Sequence, residues 1–201
     1  MSEAERIRAA IAGFAAVIDL DVAGGIRLRR VEAADAAALH GQFADWDVVR
    51  WLARPTFPVP AGATAAFCAE AATRQAVDGE LDLAILVGRV PVGVFTWRLA
   101  GQSPVQRAIG SSIGYWLGRA FWGRGIMTAV AREMIGRIFA STEAEAIYSG
   151  VFDGNGPSLA IQRKLGFVVD GRAVIWCNPH RDERLHINTR LDRRAFTTGR
   201  A

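Results

Sequence analysis

Cysteine, lysine and histidine are all scarce in this chain. The two cysteines, Cys68 and Cys177, lie far apart and form no CxxC or other metal-ligand spacing. That excludes a disulfide framework and gives no basis for a zinc site, so no metal is expected. Lys164 is the only lysine, so nearly all basic charge is arginine, and 24 basic against 20 acidic residues leave a formal charge of only +4. Arginine suits planar recognition of phosphate. No basic stripe interleaved with aromatics is present, however, and nucleic acid is not an expected partner. The three histidines, His40, His180 and His186, are scattered, and no Cys-His or Ser-His-Asp arrangement points to a covalent enzyme intermediate.

Long apolar runs are missing too. No stretch reaches the roughly 20 apolar residues of a membrane-spanning helix. The apolar run at residues 9–18 follows Glu3, Glu5, Arg6 and Arg8 and ends at Asp19 and Asp21. It lacks the basic n-region of a signal peptide and reads as an N-terminal helix. The chain is expected in the cytoplasm, with no membrane partner.

What is present is the composition of one packed domain: 201 residues, 51% hydrophobic and 22% charged, enough to bury a core. Ile7, Ile11, Phe14 and Ile18 recur at helical spacing before Ala23-Gly24-Gly25 breaks the pattern. This predicts a helical appendage over residues 1–25, joined by a short hinge and packed on the domain or on a second copy of the chain in a homodimer. The domain proper is expected over residues 26–198. Residues 26–31 alternate as a half-buried strand, and Asp35 sits where an alanine-rich helix begins. Residues 45–53 put Val48, Val49 and Leu52 on one helical face before the Arg54-Pro55 break. A helix over residues 64–77 precedes two strands, 81–87 and 90–98, flanking Gly88-Arg89, where glycine at the first central position suits a type II′ turn. A strand over 109–117, a loop over 118–125, a helix over 125–140 and a strand over 147–151 imply a right-handed crossover and a parallel pair. Asn155 then caps a helix that ends at Gly166. Strands at 167–174 and 185–191 complete the sheet as an antiparallel pair.

The most informative stretch is RAFWGRGIMTAVA at 119–131, where a loop with Gly123 and Gly125 leads from a strand directly into a helix. The first turn of a helix has unpaired N–H groups and a partial positive charge, and glycines let a phosphate approach the backbone. Arg119 and Arg124 add charge on either side. Two glycines before a helix also serve a plain strand-to-helix connection, and the spacing is neither a Walker loop nor GxGxxG.

At these residues the chain resembles the Gcn5-related N-acetyltransferase (GNAT) superfamily, and within it the branch of ribosomal-protein alanine acetyltransferases. The resemblance covers roughly residues 26–195. It rests on IGYWLGRAFWGRGIMTAV at 113–130, NGPSLAIQRKLGF at 155–167, and IRLRRVEAADAAAL followed by DWDVVRWL. The pyrophosphate loop of the family falls on Trp122 to Met127. Gly125 matches its central glycine, whereas Trp122 and Met127 depart from its flanking preferences.

The resemblance implies an α+β fold with a mixed, mostly antiparallel sheet, helices on both faces and splayed central strands. It implies acetyl-CoA as co-substrate, held by Trp116, Leu117, Gly118, Arg119, Trp122, Gly123, Arg124, Gly125, Ile126, Met127, Asn155 and Ser158. It also implies direct attack of a primary amine on the thioester. The strand carrying Tyr115, Trp116 and Leu117 is expected to be bulged and to splay from the Ile147 strand, freeing backbone groups for the pantetheine arm. A backbone N–H near Trp116 or Leu117 is expected to face the oxyanion. Many relatives carry an acid tyrosine where this chain has Gln162, so Ser158, or a water, becomes the candidate general acid. Asn155 is expected to contact pantetheine, although a helix cap accounts for it equally well. Asp45, Asp47 and Asp182 are candidates for the base, with water as the alternative. The acceptor is expected to be a protein N-terminus or a small amine such as a polyamine, amino sugar or antibiotic. A non-catalytic acyl-CoA-binding module is the rival reading.

Overall fold

A computed structural model describes residues 1–100 and 110–198. The chain runs α1 (Glu3–Val17), β1 (Asp19–Ala23), β2 (Ile26–Arg30), α2 (Ala36–Phe43), α3 (Trp46–Val49), α4 (Ala63–Ala69) and α5 (Ala71–Asp78). It continues through β3 (Glu80–Val87), β4 (Val90–Ala100), β5 (Gly110–Leu117), α6 (Ile126–Ser141), β6 (Ala146–Phe152), α7 (Gly156–Lys164), β7 (Val168–Cys177), β8 (Asp182–Asp192) and α8 (Arg193–Thr198). The eight strands form one sheet in the order β1-β2-β3-β4-β5-β6-β8-β7. Only β5 and β6 pair parallel; the other neighbours are antiparallel.

Strand alternation divides the core in two. On one face, Leu81, Leu83 and Ile85 of β3 and Phe95 and Trp97 of β4 pack with the apolar sides of α1 and α6. On the other, Ala84, Leu86 and Val94 pack with Leu39, Cys68 and Ala71 of α2, α4 and α5. The sheet is the mixed, mostly antiparallel one expected, covered on both faces.

Several expectations change in detail. The helical spacing of α1 is real, but its apolar face is built into the main core: Ile7 and Ile11 are 2% and 1% exposed. Of the two expected packings, this face is buried against the domain itself. The segment expected to be a hinge is the turn of the β1–β2 hairpin, with φ +58° at Gly24 and +77° at Gly25, the positive pair that a type I′ turn needs. Periodicity reveals an apolar face but not what lies against it. The helix expected over 64–77 is two helices, because the chain turns at Glu70, which caps both. Asp35 occupies the N-cap position of α2, as expected, but its side chain makes no capping bond there. It is buried, and accepts from both guanidinium nitrogens of Arg29 at 2.7 Å and from the Glu32 N–H at 2.9 Å. The expected β3–β4 turn is present, with positive φ at Gly88. Ile109, the expected first residue of β5, lies outside the described residues.

Candidate active site

The parallel pair is short. β5 and β6 are in register at Ser111–Ile147 and Ser112–Tyr148 only. One step further the Ser149 hydroxyl donates to the Ile113 carbonyl at 3.0 Å, and beyond it the strands part into a cleft of about 920 Å³, ample for a cofactor-sized ligand. The splay is therefore as expected, but the bulge is not on β5. The β4–β5 register runs unbroken from Gly110 to Leu117. The extra residue is Val92 of β4, opposite the Ile85–Leu86 step of β3. Beside it, Gly93 lies so close to β5 that a Cβ there would meet the Trp116 carbonyl at 2.4 Å. The irregular turn of β4 is thus absorbed by a glycine, and β5 stays straight.

The direction of the β5 backbone groups follows from three bonds. Gly118 donates its N–H to Val92 of β4 at 2.8 Å. Ile113 and Leu117 turn the other way, accepting from Ser149 of β6 and from the Trp122 indole at 2.7 Å. Backbone alternation then aims the N–H and C=O groups of Tyr115 and Leu117 toward the β6 side and those of Trp116 toward β4. Of the two expected oxyanion donors, Leu117 has its N–H on the cleft side. The Trp116 ring packs on Phe43 at 4.8 Å between centroids.

At the cleft mouth, Gly123 and Gly125 both have φ of +74°, and a Cβ at either would enter open space. Gly125 is the N-cap of α6 and no side chain caps this end. The Gly125 carbonyl accepts the Ala129 N–H at 3.0 Å, so the N–H groups before Ala129 form an open ring of donors. Of the flanking arginines, Arg124 lies over the Phe121 ring at 5.4 Å, and Arg119 lies 3.0 Å from Asp47. Trp122 braces the loop through its bond to Leu117. Ile126 and Met127 are buried and anchor α6 in the core.

Two hydroxyls meet on the cleft wall. Ser158 Oγ, in the first turn of α7, lies 3.1 Å from the Tyr115 hydroxyl of β5. Asn155 caps α7, its Oδ1 accepting from the Ser158 N–H at 3.3 Å, which is the capping role sequence allowed. Gln162 is buried, donates to Ser149 Oγ at 3.1 Å and accepts from Thr189 at 2.8 Å. It ties α7 to β6 and β8. Burial pushes the Tyr115 phenol above its ordinary range, with hydrogen bonds from Ser158 and Gln162 opposing.

The carboxylates expected as bases are occupied. Asp45 caps α3 by accepting the Asp47 N–H at 2.8 Å. Asp47 bridges Arg50 at 3.2 Å and Arg119 at 3.0 Å. Asp182 accepts the exposed Glu183 N–H at 2.8 Å. Of the histidines, His40 bonds Thr64 at 3.0 Å and His180 packs on Trp46 at 4.9 Å, whereas His186 of β8 lines the cleft. Its Nδ1 lies 2.8 Å from Asn188 Oδ1; in the tautomer that donates Nδ1–H to this oxygen, Nε2 is the basic nitrogen. Burial pushes its pKa down, and Asn188 opposes this. The ring lies over Gly150 of β6, where a Cβ would meet Cε1 at 2.2 Å and Nε2 at 3.0 Å. A lone histidine in a strand carried no signal of this. The glycine beneath it, diagonal to it across the β6–β8 pair, is visible only once that register is known.

Among the described residues no group of three His, Cys, Asp or Glu side chains is placed to hold a metal ion, and no helix is long and apolar enough to cross a membrane.

A mixed sheet that opens at its single parallel pair, beside an uncapped helix N-terminus, is the fold of the acyl-CoA N-acyltransferases. The chain belongs to the acetyltransferase (GNAT) domain family, whose model matches residues 26–168. It is 35% identical over 63 residues to YdaF of Bacillus subtilis (strain 168), which carries the name of a ribosomal N-acetyltransferase; the match covers 31% of this chain and 34% of that relative. A crystal structure of a probable acetyltransferase is similar at a TM-score of 0.74 and 22% identity, covering 88% of this chain and 98% of that one. The microcin C7 self-immunity acetyltransferase MccE, in complex with acetyl-CoA and AMP, is similar at a TM-score of 0.72 and 19% identity, covering 85% and 94%. At these identities the solved structures share the fold.

Proposed function

We propose that this protein transfers the acetyl group of acetyl-CoA to a primary amine by direct attack, with the thioester arm lying between β5 and β6. The observation that carries this reading is the parting of β5 from β6 beside the open N–H groups at Gly123 to Met127. The residues present suit such a group: free strand edges for an amide-rich arm, and a positive, glycine-lined helix end for a pyrophosphate. The complex of MccE with acetyl-CoA supports the same choice of co-substrate.

When bound, acetyl-CoA supplies an activated acyl carbon. The chain's own residues do the rest. His186 Nε2, unprotonated at neutral pH, takes the proton of the amine as the N–C bond forms. The Leu117 N–H faces the developing oxyanion. As the C–S bond breaks and its electron pair passes to sulfur, the paired Tyr115 and Ser158 hydroxyls supply a proton to it. Solvent then restores the hydroxyl proton and removes the one held by His186. A neutral imidazole and a hydroxyl pair on the same cleft favour turnover over a purely acyl-CoA-binding module.

The name of YdaF supports a protein amine as acceptor. The test is release of free thiol from acetyl-CoA over a panel of amines, including peptides that begin with Ala or Ser, with the acetylated product identified by mass. Thiol release with matching N-acetyl product supports the reading. Acetyl-CoA binding without product from any amine supports the binding-module alternative.

A further inference from the structure

Two glycines face each other across the splayed strands, and each is roofed by a side chain from the next strand outward. On β6, Gly150 lies under His186. On β5, Gly114 lies under Arg98 of β4, where a Cβ would meet Arg98 Nη2 at 2.6 Å. Both side chains reach the cleft because those positions carry no side chain of their own. Arg98 is incompletely hydrogen-bonded. Its Nε is a buried atom with no hydrogen-bond partner, and its nearest carboxylate, Glu80 at 3.9 Å, is shared with Arg54 at 3.5 Å. Arg50, on the same cleft, likewise has a buried Nε without a partner, and its carboxylate, Asp47, is shared with Arg119. Four guanidiniums therefore divide two carboxylates. Burial pushes the Arg98 guanidinium below its ordinary range; Glu80 and Asp82 oppose this and Arg54 adds to it. A buried donor left unpaired is costly, and an acceptor brought to this guanidinium would relieve that cost.

This cation is not at the phosphate loop. Gly114 precedes Gly118, where that loop begins, by four residues of extended strand, about 13 Å at roughly 3.3 Å per residue. The cleft thus carries two separate sets of donors: backbone N–H groups at the loop end and the Arg98 guanidinium at the other.

We propose that the acceptor of this protein is an amine that also carries an oxyanion, a carboxylate or a phosphate, and that Arg98 holds that anion. The inference rests on the acetyl-transfer reading of the cleft. A guanidinium binds such a group through two N–H donors in one plane, which would fix the amine at a set distance from the anion and so toward His186.

Two measurements decide it. The first is calorimetric titration of the CoA-saturated protein with inorganic phosphate and, separately, with acetate. CoA occupies the loop end, so binding reads the other end, and the preferred ion distinguishes phosphate from carboxylate. Wild type should bind one of them, Arg98→Gln should not, and Arg98→Lys should bind more weakly. Absence of binding to wild type, or equal binding by Arg98→Gln with an unchanged melting temperature, overturns the proposal whether or not acetyl transfer occurs. The second uses amines in matched pairs, an acid or phosphate against its amide or alcohol. The ratio of kcat/KM should favour the anionic member by about tenfold or more, decline as salt rises, and fall to about twofold or less in Arg98→Gln. The exposed turn variant Arg89→Gln should keep the wild-type ratio. A preference for the neutral members overturns the proposal. Failure to bind acetyl-CoA at all, by contrast, sinks the acetyl-transfer reading and leaves the ion titration of unliganded protein to be read by itself.

Discussion

The Tyr115 hydroxyl lies 3.1 Å from Ser158 Oγ, joining the middle of β5 to the first turn of α7 across the top of the cleft. On α7 Gln162 stands four residues before Gly166, where the resemblance places a tyrosine in many relatives, yet a phenol reaches the cleft from β5. If the two hydroxyls act as one donor, removing either should remove most of the effect. General acids contribute about 10² to 10⁴-fold, and a thiol leaving group of pKa near 8.5 calls for the low end. Tyr115→Phe and Ser158→Ala should each lower kcat by about 10- to 100-fold, and the double variant by no more than the worse single one. Acetyl-CoA affinity should change by less than about threefold, since these contacts are not phosphate contacts. Fully multiplicative losses would show two independent roles.

His186 gives a prediction in pH. Its folded pKa is depressed below the unfolded value of about 6.5, so just below pH 6.5 the unfolded chain binds more protons than the folded one. Stability therefore rises with pH through this window and falls as acid is added. Urea midpoints measured from about pH 7 to 5 should decline in wild type and decline less in His186→Gln. The acid limb of kcat/KM should lie below pH 6.5 for the same reason, and His186→Gln should lower kcat by about 10²-fold or more. A variant of wild-type activity would assign the amine proton to water.

The N-terminal helix should be indispensable. Burying each of Ile7, Ile11 and Ile18 is worth about 1.5–3 kcal/mol, against a net stability of about 5–15 kcal/mol for a whole domain, and Phe14 packs edge-on to Trp97 at 5.9 Å. A chain beginning at Gly24 should not fold, as judged by circular dichroism. Ile11→Ala should cost about 2–5 kcal/mol in denaturant. A folded, acetyl-CoA-binding truncated chain would contradict this.

Much of this architecture was legible because the signals were local. The Gly88 turn, the Asn155 cap, the Gly123–Gly125 loop before α6 and the parallel crossover each follow from a few neighbouring residues. What was not legible depends on contacts between distant ones. Helical spacing in α1 could not say that Trp97 and Ile135 complete the same core. The positioning of the bulge on β4 depends on how Gly93 meets Trp116. Arg98 and His186 look like ordinary strand residues until the register sets Gly114 and Gly150 beneath them. The tryptophans show the same limit: Trp97 is fully buried, whereas Trp176 is 55% exposed on the edge strand β7, and composition does not separate the two.

Pyrophosphate binding at the cleft mouth, on the α6 N-terminus, is measured by calorimetric titration of acetyl-CoA into wild type, Gly125→Ala and Gly125→Glu. Both substitutions strain a residue at φ +74°, by about 1–2 kcal/mol, and neither side chain meets protein atoms near its Cβ. The alanine variant thus isolates the backbone strain from the added charge. Wild type should bind in the micromolar to millimolar range usual for substrates. Gly125→Ala should bind more weakly, and Gly125→Glu, still folded, should not bind detectably, because a carboxylate then stands where the anion meets the N–H groups. Equal dissociation constants for wild type and folded Gly125→Glu would rule out a pyrophosphate at this helix end.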